Sequence, residues 1–305
     1  MSGAAMGFIG VDTAHSSIMT VFPRWARHLG LPTRQLRGHD LSLDAPDAAY
    51  RELITAIARD ETYLGALVTT HKIRVYEAAH DLFDELDDFS VQCGEVSAIS
   101  KRGRLLRGSA KDPITAGLAL REFLSPDHFG RTGAEVVCLG SGGAGIAIST
   151  YLAQSDDRPA RVILTDVDQN RLDHVQAVHE RAKLPRELFE YAKVSSPGDA
   201  AHIVEAAASF SLIVNATGLG KDRPGSPIPS QTRFPVGADV WEINYRGTLD
   251  FMHQARAQAS ERSLRVVDGW RYFIHGWTQV VAEVFDIPMP TETVEELSAL
   301  AHKTK

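Results

Sequence analysis

Apolar runs and helix-like segments alternate along the second half of the chain. The runs lack the polar alternation of a half-exposed strand, as expected for strands buried on both faces. They are Val136–Leu139, Val162–Leu164, Ser211–Ala216, Val240–Asn244 and Val266–Gly269. Segments with helical character separate them, among them residues 171–182 and 197–209. This rhythm predicts an α/β domain with helices covering a parallel sheet.

The first part of the chain also alternates strand and helix signals. Residues 6–11 and 64–69 predict strands, and apolar side chains recur at helical spacing over residues 44–60. Two short segments on either side of Arg102-Gly103 predict a hairpin. Asp112 and Pro113 are typical of the first turn of a helix, and a Ser-Pro-Asp break follows at 125–127. We therefore expect one domain over residues 1–124, completed by C-terminal helices within 272–305, and a second over 125–271.

A glycine-rich turn follows the first apolar run of the second domain and reads Gly140-Ser141-Gly142-Gly143-Ala144-Gly145. In a dinucleotide-binding unit the first glycine permits a sharp turn, the second a close approach of the backbone to a pyrophosphate, and the third close helix packing. The N-terminus of the next helix offers N–H groups and a positive dipole end to the phosphates. The turn therefore predicts a dinucleotide site, and the alternative is a turn that serves packing alone.

Asp166, about 20 residues beyond the turn, predicts which dinucleotide binds. Its carboxylate can accept a hydrogen bond from the ribose 2′-OH of NAD and would repel the 2′-phosphate of NADP. The residues that follow contain no arginine before Arg171. The sequence thus favours NAD over NADP.

Composition excludes several classes of protein. A hydrophobic content of 44% and a charged content of 23% are typical of globular proteins, and a net charge of −7 gives no basic footprint for nucleic acid. No apolar run has the length of a membrane span, and the first ten residues lack the basic start of a signal peptide, so we expect a cytoplasmic protein without membrane partners. Cys93 and Cys138 lack ligand spacing, which favours buried thiols and no catalytic metal.

Eight short segments, in the same order along nearly the whole chain, resemble motifs of the shikimate dehydrogenase family. In the first domain, four segments resemble H-S-x-S-P, V-T-x-P-x-K, G-A-V-N-T and G-x-N-T-D: His15–Ile18, Val68–Lys72, Gly94–Ala98 and Gly108–Asp112. In the second, the glycine turn is followed by matches to N-A-T-P-L-G, to a tyrosine after a late strand, and to a glycine-led segment opening the last helix: Asn215–Gly220, Tyr245 and Gly269–Trp277. No single match is specific, but their common order is.

The resemblance implies a two-domain α/β enzyme with a three-layer substrate domain and a Rossmann domain built on a doubly wound parallel sheet. It implies an oxidoreductase that moves hydride between a nicotinamide and a secondary alcohol or ketone of a hydroxylated ring. The family's catalytic pair falls on Lys72, as general base and acid, and on Asp112, which would bond to it and to a substrate hydroxyl. By residue type alone, the two could equally be a solvated lysine and a helix cap.

The resemblance to the family's motifs also implies the other candidate site residues. Those expected to bind substrate are Ser16, Ser17, Thr69, Ser97, Lys111, Tyr245 and His275. Those expected to bind the cofactor are Gly140, Ser141, Gly142, Gly143, Ala144, Gly145, Asp166, Asn215, Ala216, Thr217, Gly218, Leu219 and Gly269. His15 and His71 lie in substrate-side motifs, where either a ligand contact or a structural role is open. A homodimer is compatible with the sequence but demanded by no feature of it.

Several of the family's substrate contacts are altered. The family has Ser, Asn, Thr and Gln where this chain has Ile18, Ser97, Lys111 and Gly276. Because polar sites reject ligands that leave their groups unpaired, we expect a related ring (a shikimate-like acid, quinate, aminoshikimate or a cyclitol) rather than shikimate itself. Lys111 could bind an anion, favour a neutral Lys72 by like-charge repulsion, or be solvated. The alternatives are an NAD-binding sensor without turnover and a true shikimate dehydrogenase using NADP.

Overall fold

Two compact units make up the chain. The computed structural model describes residues 3–221 and 223–302. Unit 1 comprises Met1–Lys111 with Ile274–Lys305, and unit 2 comprises Asp112–Phe273. The chain therefore passes from one unit to the other at 111/112 and again at 273/274.

Unit 1 is built on a mixed sheet. Its strands are β1 Ala5–Gly10, β2 Leu36–Asp40, β3 Tyr63–Val68, β4 Glu85–Leu86, β5 Ala98–Arg102 and β6 Leu105–Ser109, in the order β2-β1-β3-β5-β6-β4. β1 runs parallel to β2 and β3, whereas β5 pairs antiparallel with both β3 and β6. The pairing of β5 with β6 is the hairpin that the sequence predicts. The helices of this part are α1 Ile18–His28, α2 Asp47–Arg59, α3 Lys72–Ala79 and α4 Asp88–Cys93.

Unit 2 is a parallel sheet covered by helices. Its strands are β7 Val136–Leu139, β8 Val162–Asp166, β9 Phe189–Lys193, β10 Leu212–Asn215, β11 Asp239–Glu242 and β12 Arg265–Val267. Its helices are α5 Asp112–Arg121, α6 His128–Thr132, α7 Gly143–Gln154, α8 Gln169–Arg181, α9 Pro197–Ala206 and α10 Asp250–Arg262. The strand order β12-β11-β10-β7-β8-β9, with parallel pairing throughout, is the doubly wound order of a Rossmann domain. Its direction of winding reverses between β7 and β10, which is where such sheets bind ligands.

Helices pack on both faces of each sheet. The chain ends with α11 Trp270–Phe285 and α12 Thr291–His302. In unit 1, Ile9 packs with α2 and α3, while its neighbour Phe8 contacts Trp277 of α11 edge-to-face at 5.2 Å. Since consecutive strand residues point to opposite faces, helices lie on both sides of the sheet, as the expected three-layer domain requires. On this second face the Trp25 indole N–H of α1 donates to the Leu297 carbonyl of α12 at 2.8 Å.

Helix boundaries follow local chemistry. In α1, apolar residues at i, i+3, i+4 and i+7 form one buried stripe: Ile18, Val21, Phe22 and Trp25. In α9, Ser196 and Asp199 form a capping box and Pro197 occupies the first turn. The sequence predicts helices over 18–29 and 197–209, and α1 and α9 begin at those positions.

Several elements differ from the sequence-based expectation. The sequence predicts a helix over 72–86, but α3 ends at Ala79 and gives way to a short 3₁₀ turn and β4, and the sequence did not predict α4 or α6. Helix α5 groups with unit 2, although the sequence placed the boundary after it, because its Gly117 lies directly against the Tyr151 ring of α7. The sequence predicts a last helix over 293–303; α12 is described to His302, and Lys303 lies outside the described residues. Among the described helices, none is long and apolar enough to cross a membrane.

Candidate active site

The glycine turn lies at the carboxyl end of β7, where the winding of the unit 2 sheet reverses. Gly140 has φ +102°, and a Cβ there would lie 2.8 Å from the Ala216 carbonyl carbon and oxygen. A Cβ on Gly145 would lie 2.3 Å from the Gly140 carbonyl oxygen. Around Gly142, by contrast, no atom of the described residues other than its two chain neighbours comes within 4 Å of a built Cβ. The first and third glycines thus serve packing, while Gly142 leaves open space at the start of α7 where a phosphate group would fit.

Asp166 ends β8 beside this turn and is held in place by it. One carboxylate oxygen accepts hydrogen bonds from the Ser141 backbone N–H at 3.0 Å and the Ser141 hydroxyl at 3.1 Å. The other accepts from the Asp168 N–H at 3.1 Å. Arg171 is the nearby cation, at 4.0 Å and 60% exposed. The predicted cofactor residues Ser141 and Asp166 are therefore brought together, and the carboxylate is pre-oriented at the turn.

The loop after β10 lies beside the glycine turn, at the carboxyl edge of the unit 2 sheet. Asn215 is buried, and its side-chain oxygen accepts from the Thr217 N–H and hydroxyl at 3.1 and 2.7 Å. The Thr217 hydroxyl in turn accepts from the Leu219 N–H at 3.2 Å. Gly218 and Gly220 have φ values of +75° and +85°, which glycine tolerates without strain. The loop predicted to approach the nicotinamide is thus ordered by its own side chains.

Glu242 and Asn244, which the sequence analysis missed, hold this loop from the neighbouring strand. Glu242 is completely buried at the end of β11 and is the register partner of Asn215. Its carboxylate accepts from Asn215 Nδ2 at 2.7 Å, from Asn244 Nδ2 at 2.6 Å and from the Asn244 backbone N–H at 2.9 Å. Burial raises the pKa of Glu242 to about 7, although these hydrogen bonds and the charge of Lys221 act to lower it. The available sequence signal was weak: an acid that follows the apolar pair Val240 and Trp241 in a strand that also begins with an acid.

The chain around the predicted catalytic pair is organised by the segment that leads into β5. The Lys72 carbonyl, at the start of α3, accepts from the Val96 N–H at 3.1 Å. The hydroxyl of the next residue, Ser97, accepts from the Lys111 N–H at 2.7 Å. Asp112 follows Lys111 directly, begins α5 and is 7% exposed. Lys72 lies in unit 1 and Asp112 in unit 2, and their pairing remains a prediction.

Ser97 and Lys111 are engaged within unit 1. The buried Ser97 hydroxyl also donates to the Ser109 carbonyl at 3.3 Å. The Lys111 ammonium lies 2.7 Å from Glu283 of α11 and 3.6 Å from Asp87, with its side chain 12% exposed. Burial acts to raise the pKa of Glu283, but the Lys111 hydrogen bond and charge outweigh it and the pKa is lowered. Lys111 is therefore not the solvated loop lysine that the sequence left open.

The remaining substrate-side candidates of unit 1 have mixed surroundings. Ser16 and Ser17 are half-buried before α1, and the neighbouring Ile18 side chain is completely buried. The Thr69 hydroxyl donates to the Ile9 carbonyl at 3.2 Å. His275, in α11, is buried. The described contacts establish no ligand role for any of them.

The two histidines of the substrate-side motifs differ. His71 is buried, with one ring nitrogen 2.9 Å from the Tyr50 hydroxyl and the other 2.9 Å from the Leu41 carbonyl. Both of its nitrogens are thus used by the protein, which favours the structural role. His15 is exposed and lies 2.8 Å from Asp12.

Tyr245 and Gly269 lie close to Asn244 in unit 2. The Tyr245 ring packs against Phe273 with centroids 4.3 Å apart, and the Gly269 N–H donates to the Asn244 carbonyl at 3.1 Å. A Cβ on Gly269 would lie 1.9 Å from the Ile243 carbonyl oxygen, so glycine is required there. Both predicted residues are therefore positioned by the segment that follows Glu242.

The two cysteines and the acidic groups offer little for other chemistry. Cys93 and Cys138 are buried and form no disulfide, and burial raises the pKa of the Cys138 thiol to about 12. Among residues 3–221 and 223–302, no cluster of three or more His, Cys, Asp or Glu has metal-binding geometry.

Comparisons with known proteins agree with this reading of fold and sequence. No model of a known protein family matches the chain. It is 27% identical to shikimate dehydrogenase (NADP(+)) of Streptococcus gordonii over 214 residues, 70% of each chain. It superimposes on quinate dehydrogenase of Corynebacterium glutamicum in complex with NAD with a TM-score of 0.77, covering 99% of both chains at 19% identity. The ligand-free 5-ketofructose reductase of Gluconobacter sp. strain CHM43 gives 0.70, covering 100% of both at 16% identity.

The structural matches show a shared fold over essentially the whole chain, and the sequence match links that fold to a named enzyme family. The ordered motifs at Lys72, Asp112, the glycine turn and Asn215 fall in the elements described above. The chain is therefore similar in sequence to a shikimate dehydrogenase over 70% of its length, and it has the fold of shikimate and quinate dehydrogenases.

Proposed function

We propose that this protein is an NAD-dependent dehydrogenase that interconverts a secondary alcohol and a ketone on a polyhydroxylated ring. The observation that carries the proposal is the pairing of Ser141 in the glycine turn with Asp166, at the point where the Rossmann sheet reverses its winding. The names of the relatives support the broader class, an NAD(P)-dependent oxidoreductase acting on CH–OH groups. The cofactor choice, the catalytic pair and the substrate are argued below from this chain's own residues.

The nucleotide edge fits a dinucleotide. The open space at Gly142 and the first N–H groups of α7 would hold the pyrophosphate, and Asp166 would accept from a ribose hydroxyl. The loop from Thr217 to Gly220 would lie along the nicotinamide end. When bound, the nicotinamide supplies the hydride chemistry, while the protein positions and shields it.

Cofactor choice depends on the charge at the end of β8. Three hydrogen-bond donors already fix the Asp166 carboxylate, so it cannot readily turn away from a 2′-phosphate. A second negative group within a few ångströms of a carboxylate is unfavourable, whereas a ribose hydroxyl can donate to it. Arg171 is exposed and 4.0 Å from that carboxylate, and it is the group that would favour NADP. We expect the fixed carboxylate to dominate and NAD to be preferred, although the S. gordonii relative is named for NADP.

Proton transfer is assigned to Lys72 and Asp112. A ring alcohol must lose its hydroxyl proton as it becomes a ketone, and an amine held near a carboxylate can accept it and later return it. Lys72 would hold that proton at Nζ, and Asp112 would orient the lysine and a substrate hydroxyl. The hydrogen bonds of the Val96-Ser97 segment to Lys72 and Lys111 support this, because they tie the start of α3 to the residue before Asp112.

The substrate is expected to be a relative of shikimate rather than shikimate itself. The Ile18 side chain is buried at a position where the family has a serine hydroxyl. The Ser97 hydroxyl is already hydrogen-bonded to two backbone groups. Lys111 replaces a threonine and is paired with Glu283. These changes leave a different set of polar groups for the ring, which favours quinate, an amino-substituted shikimate or a cyclitol.

The test is the absorbance of NADH. Purified protein is given NAD or NADP with shikimate, quinate, aminoshikimate and a panel of cyclitols. We expect one ring alcohol to reduce NAD, with NADP much poorer. The Lys72→Met variant should lose turnover while keeping NADH affinity, and Lys183→Met, which removes an exposed lysine just after α8, should behave as the parent. Efficient oxidation of shikimate with NADP would contradict the cofactor and substrate assignments, and NADH binding without any turnover would favour a sensor.

A further inference from the structure

We propose that Glu242 is a positioning residue that fixes the nicotinamide-side loop and Tyr245 by holding the side chains of Asn215 and Asn244. The inference rests on the proposed function for its choice of ligand. Glu242 itself is completely buried and would act through the two amides, not by touching a ligand.

A closed hydrogen-bonded ring carries the proposal. Asn215 Nδ2 donates to Glu242 at 2.7 Å and to the Leu219 carbonyl at 3.4 Å. Asn244 Nδ2 donates to Glu242 at 2.6 Å and to the same Leu219 carbonyl at 3.3 Å. We call the set Asn215, Glu242, Asn244 and Leu219 the Glu242 ring. It links the carboxyl ends of two adjacent parallel strands to the loop that follows the first of them.

The ring controls the parts of unit 2 that would meet a nicotinamide. Because Nδ2 of Asn215 points to Glu242, its oxygen points to Thr217 and accepts both the N–H and the hydroxyl of that residue. The backbone N–H of Asn244 is also held by Glu242, and the carbonyl of Asn244 accepts from Gly269. Loss of the carboxylate would therefore release the loop and the segment that carries Tyr245 together.

The ring requires an ionised carboxylate. Three N–H groups converge on the two Glu242 oxygens, so a neutral acid or an amide would direct hydrogen atoms at donors. Burial opposes ionisation and raises the pKa of Glu242 to about 7. Lys221 is the charged side chain facing it from the loop, and the groups facing it from β10 and from the segment after β11 are the two amides. The ring should thus be complete above neutral pH and weaken below it.

The experiment measures NADH affinity by fluorescence titration at about pH 6, 7 and 8 in the full-length protein, with KM and kcat where a substrate is known. The variants are Glu242→Gln and Glu242→Asp. Asp239→Asn is the matched control, because Asp239 is a buried acid at the opposite end of the same strand, bonded to Arg265.

We expect Glu242→Gln to weaken NADH binding about tenfold at about pH 8, the loss of about one strong hydrogen bond to a charged group. The parent should bind NADH more tightly as pH rises from about 6 to about 8, whereas Glu242→Gln should show a flat, weak profile. Glu242→Asp keeps the charge and should recover part of the affinity, and Asp239→Asn should follow the parent.

Parent-like affinity of Glu242→Gln at every pH would overturn the proposal. So would a weak, flat profile shared with Asp239→Asn, since that would indicate general loosening of β11. If Glu242→Gln fails to fold, the pH dependence of NADH affinity in the parent protein is the test. A parent affinity that does not change across neutral pH would contradict the proposed role of the Glu242 ring. Absence of turnover with intact, pH-dependent NADH binding would instead count against the proposed function and leave the ring supported.

Discussion

Replacing Glu242 by glutamine should change how stability depends on pH. The folded protein holds the Glu242 proton with a pKa of about 7, against an ordinary value of 4.5. Between these values the folded state binds more protons than the unfolded state, so the parent loses stability as pH rises. At about 1.36 kcal/mol for each pKa unit, the difference of about 2.5 units amounts to about 3 kcal/mol. Glutamine does not titrate, so the Glu242→Gln variant should not lose this stability as pH rises.

The quantity to measure is the free energy of unfolding of parent and Glu242→Gln in urea, at intervals from about pH 4 to pH 8. The other titrating groups contribute to both proteins, so they cancel in the difference between the two curves. The parent-minus-variant difference should fall by about 3 kcal/mol as pH rises across the window and level off above about pH 8. The absolute offset between the curves also contains the glutamine's altered hydrogen bonds, so the slope is the test.

Glu261→Gln is the control for loss of a glutamate, because that side chain is 72% exposed. The difference in unfolding free energy between the parent and Glu261→Gln should stay constant from about pH 4 to pH 8. Parallel curves for parent and Glu242→Gln would refute the reasoning, since they would mean that the buried carboxyl titrates alike in the folded and unfolded states. A difference that rises with pH would mean that the three donors more than offset burial.

Three further outcomes follow from the site geometry. Gly142→Ala should fold with parent-like stability but weaken NADH binding, whereas Gly145→Ala, whose methyl would meet a carbonyl oxygen at 2.3 Å, should cost about 2 kcal/mol or more in thermal unfolding. Asp166→Ser should raise the NADP-to-NAD ratio of kcat/KM at least about tenfold, and an unchanged ratio would remove that carboxylate from cofactor choice. Lys111→Met should destabilise the protein by about 3 kcal/mol, measured by urea unfolding, because it leaves the half-buried Glu283 carboxylate without its 2.7 Å partner.

The Rossmann unit could be predicted from sequence because its signals are local. Its central strands β7, β8 and β10 are largely apolar, and the glycines of the turn after β7 indicate a tight turn directly from the sequence. The short elements between α3 and β5 could not be predicted in the same way. β4 has two residues and α4 six, too few for a periodic pattern, and their positions depend on pairing with β6 and on the Asp87 cap.

The candidate site was predictable by position more than by interaction. Sequence motifs located Ser97 and Lys111, but did not show that the first bonds to two backbone groups or that the second pairs with a residue far along the chain. Glu242 was missed for a related reason. An acid in a short strand that already contains Asp239 is unremarkable in the sequence, and the role of Glu242 is visible only once the sheet places it beside Asn215.

The motif-matched residues of the two units have different surroundings, and this bears on how substrate choice changes in such a fold. In unit 2, residues that match the family's motifs are hydrogen-bonded to one another, as Ser141 is to Asp166. In unit 1 an altered residue has acquired a buried partner, because Lys111 now neutralises Glu283, whose next cation, Arg107, is 3.8 Å away. Restoring the family's threonine at 111 alone would therefore weaken the charge balance around Glu283 before it could restore any substrate contact. Lys111 and Glu283 are expected to change together, so a return to the family's substrate requires more than one substitution.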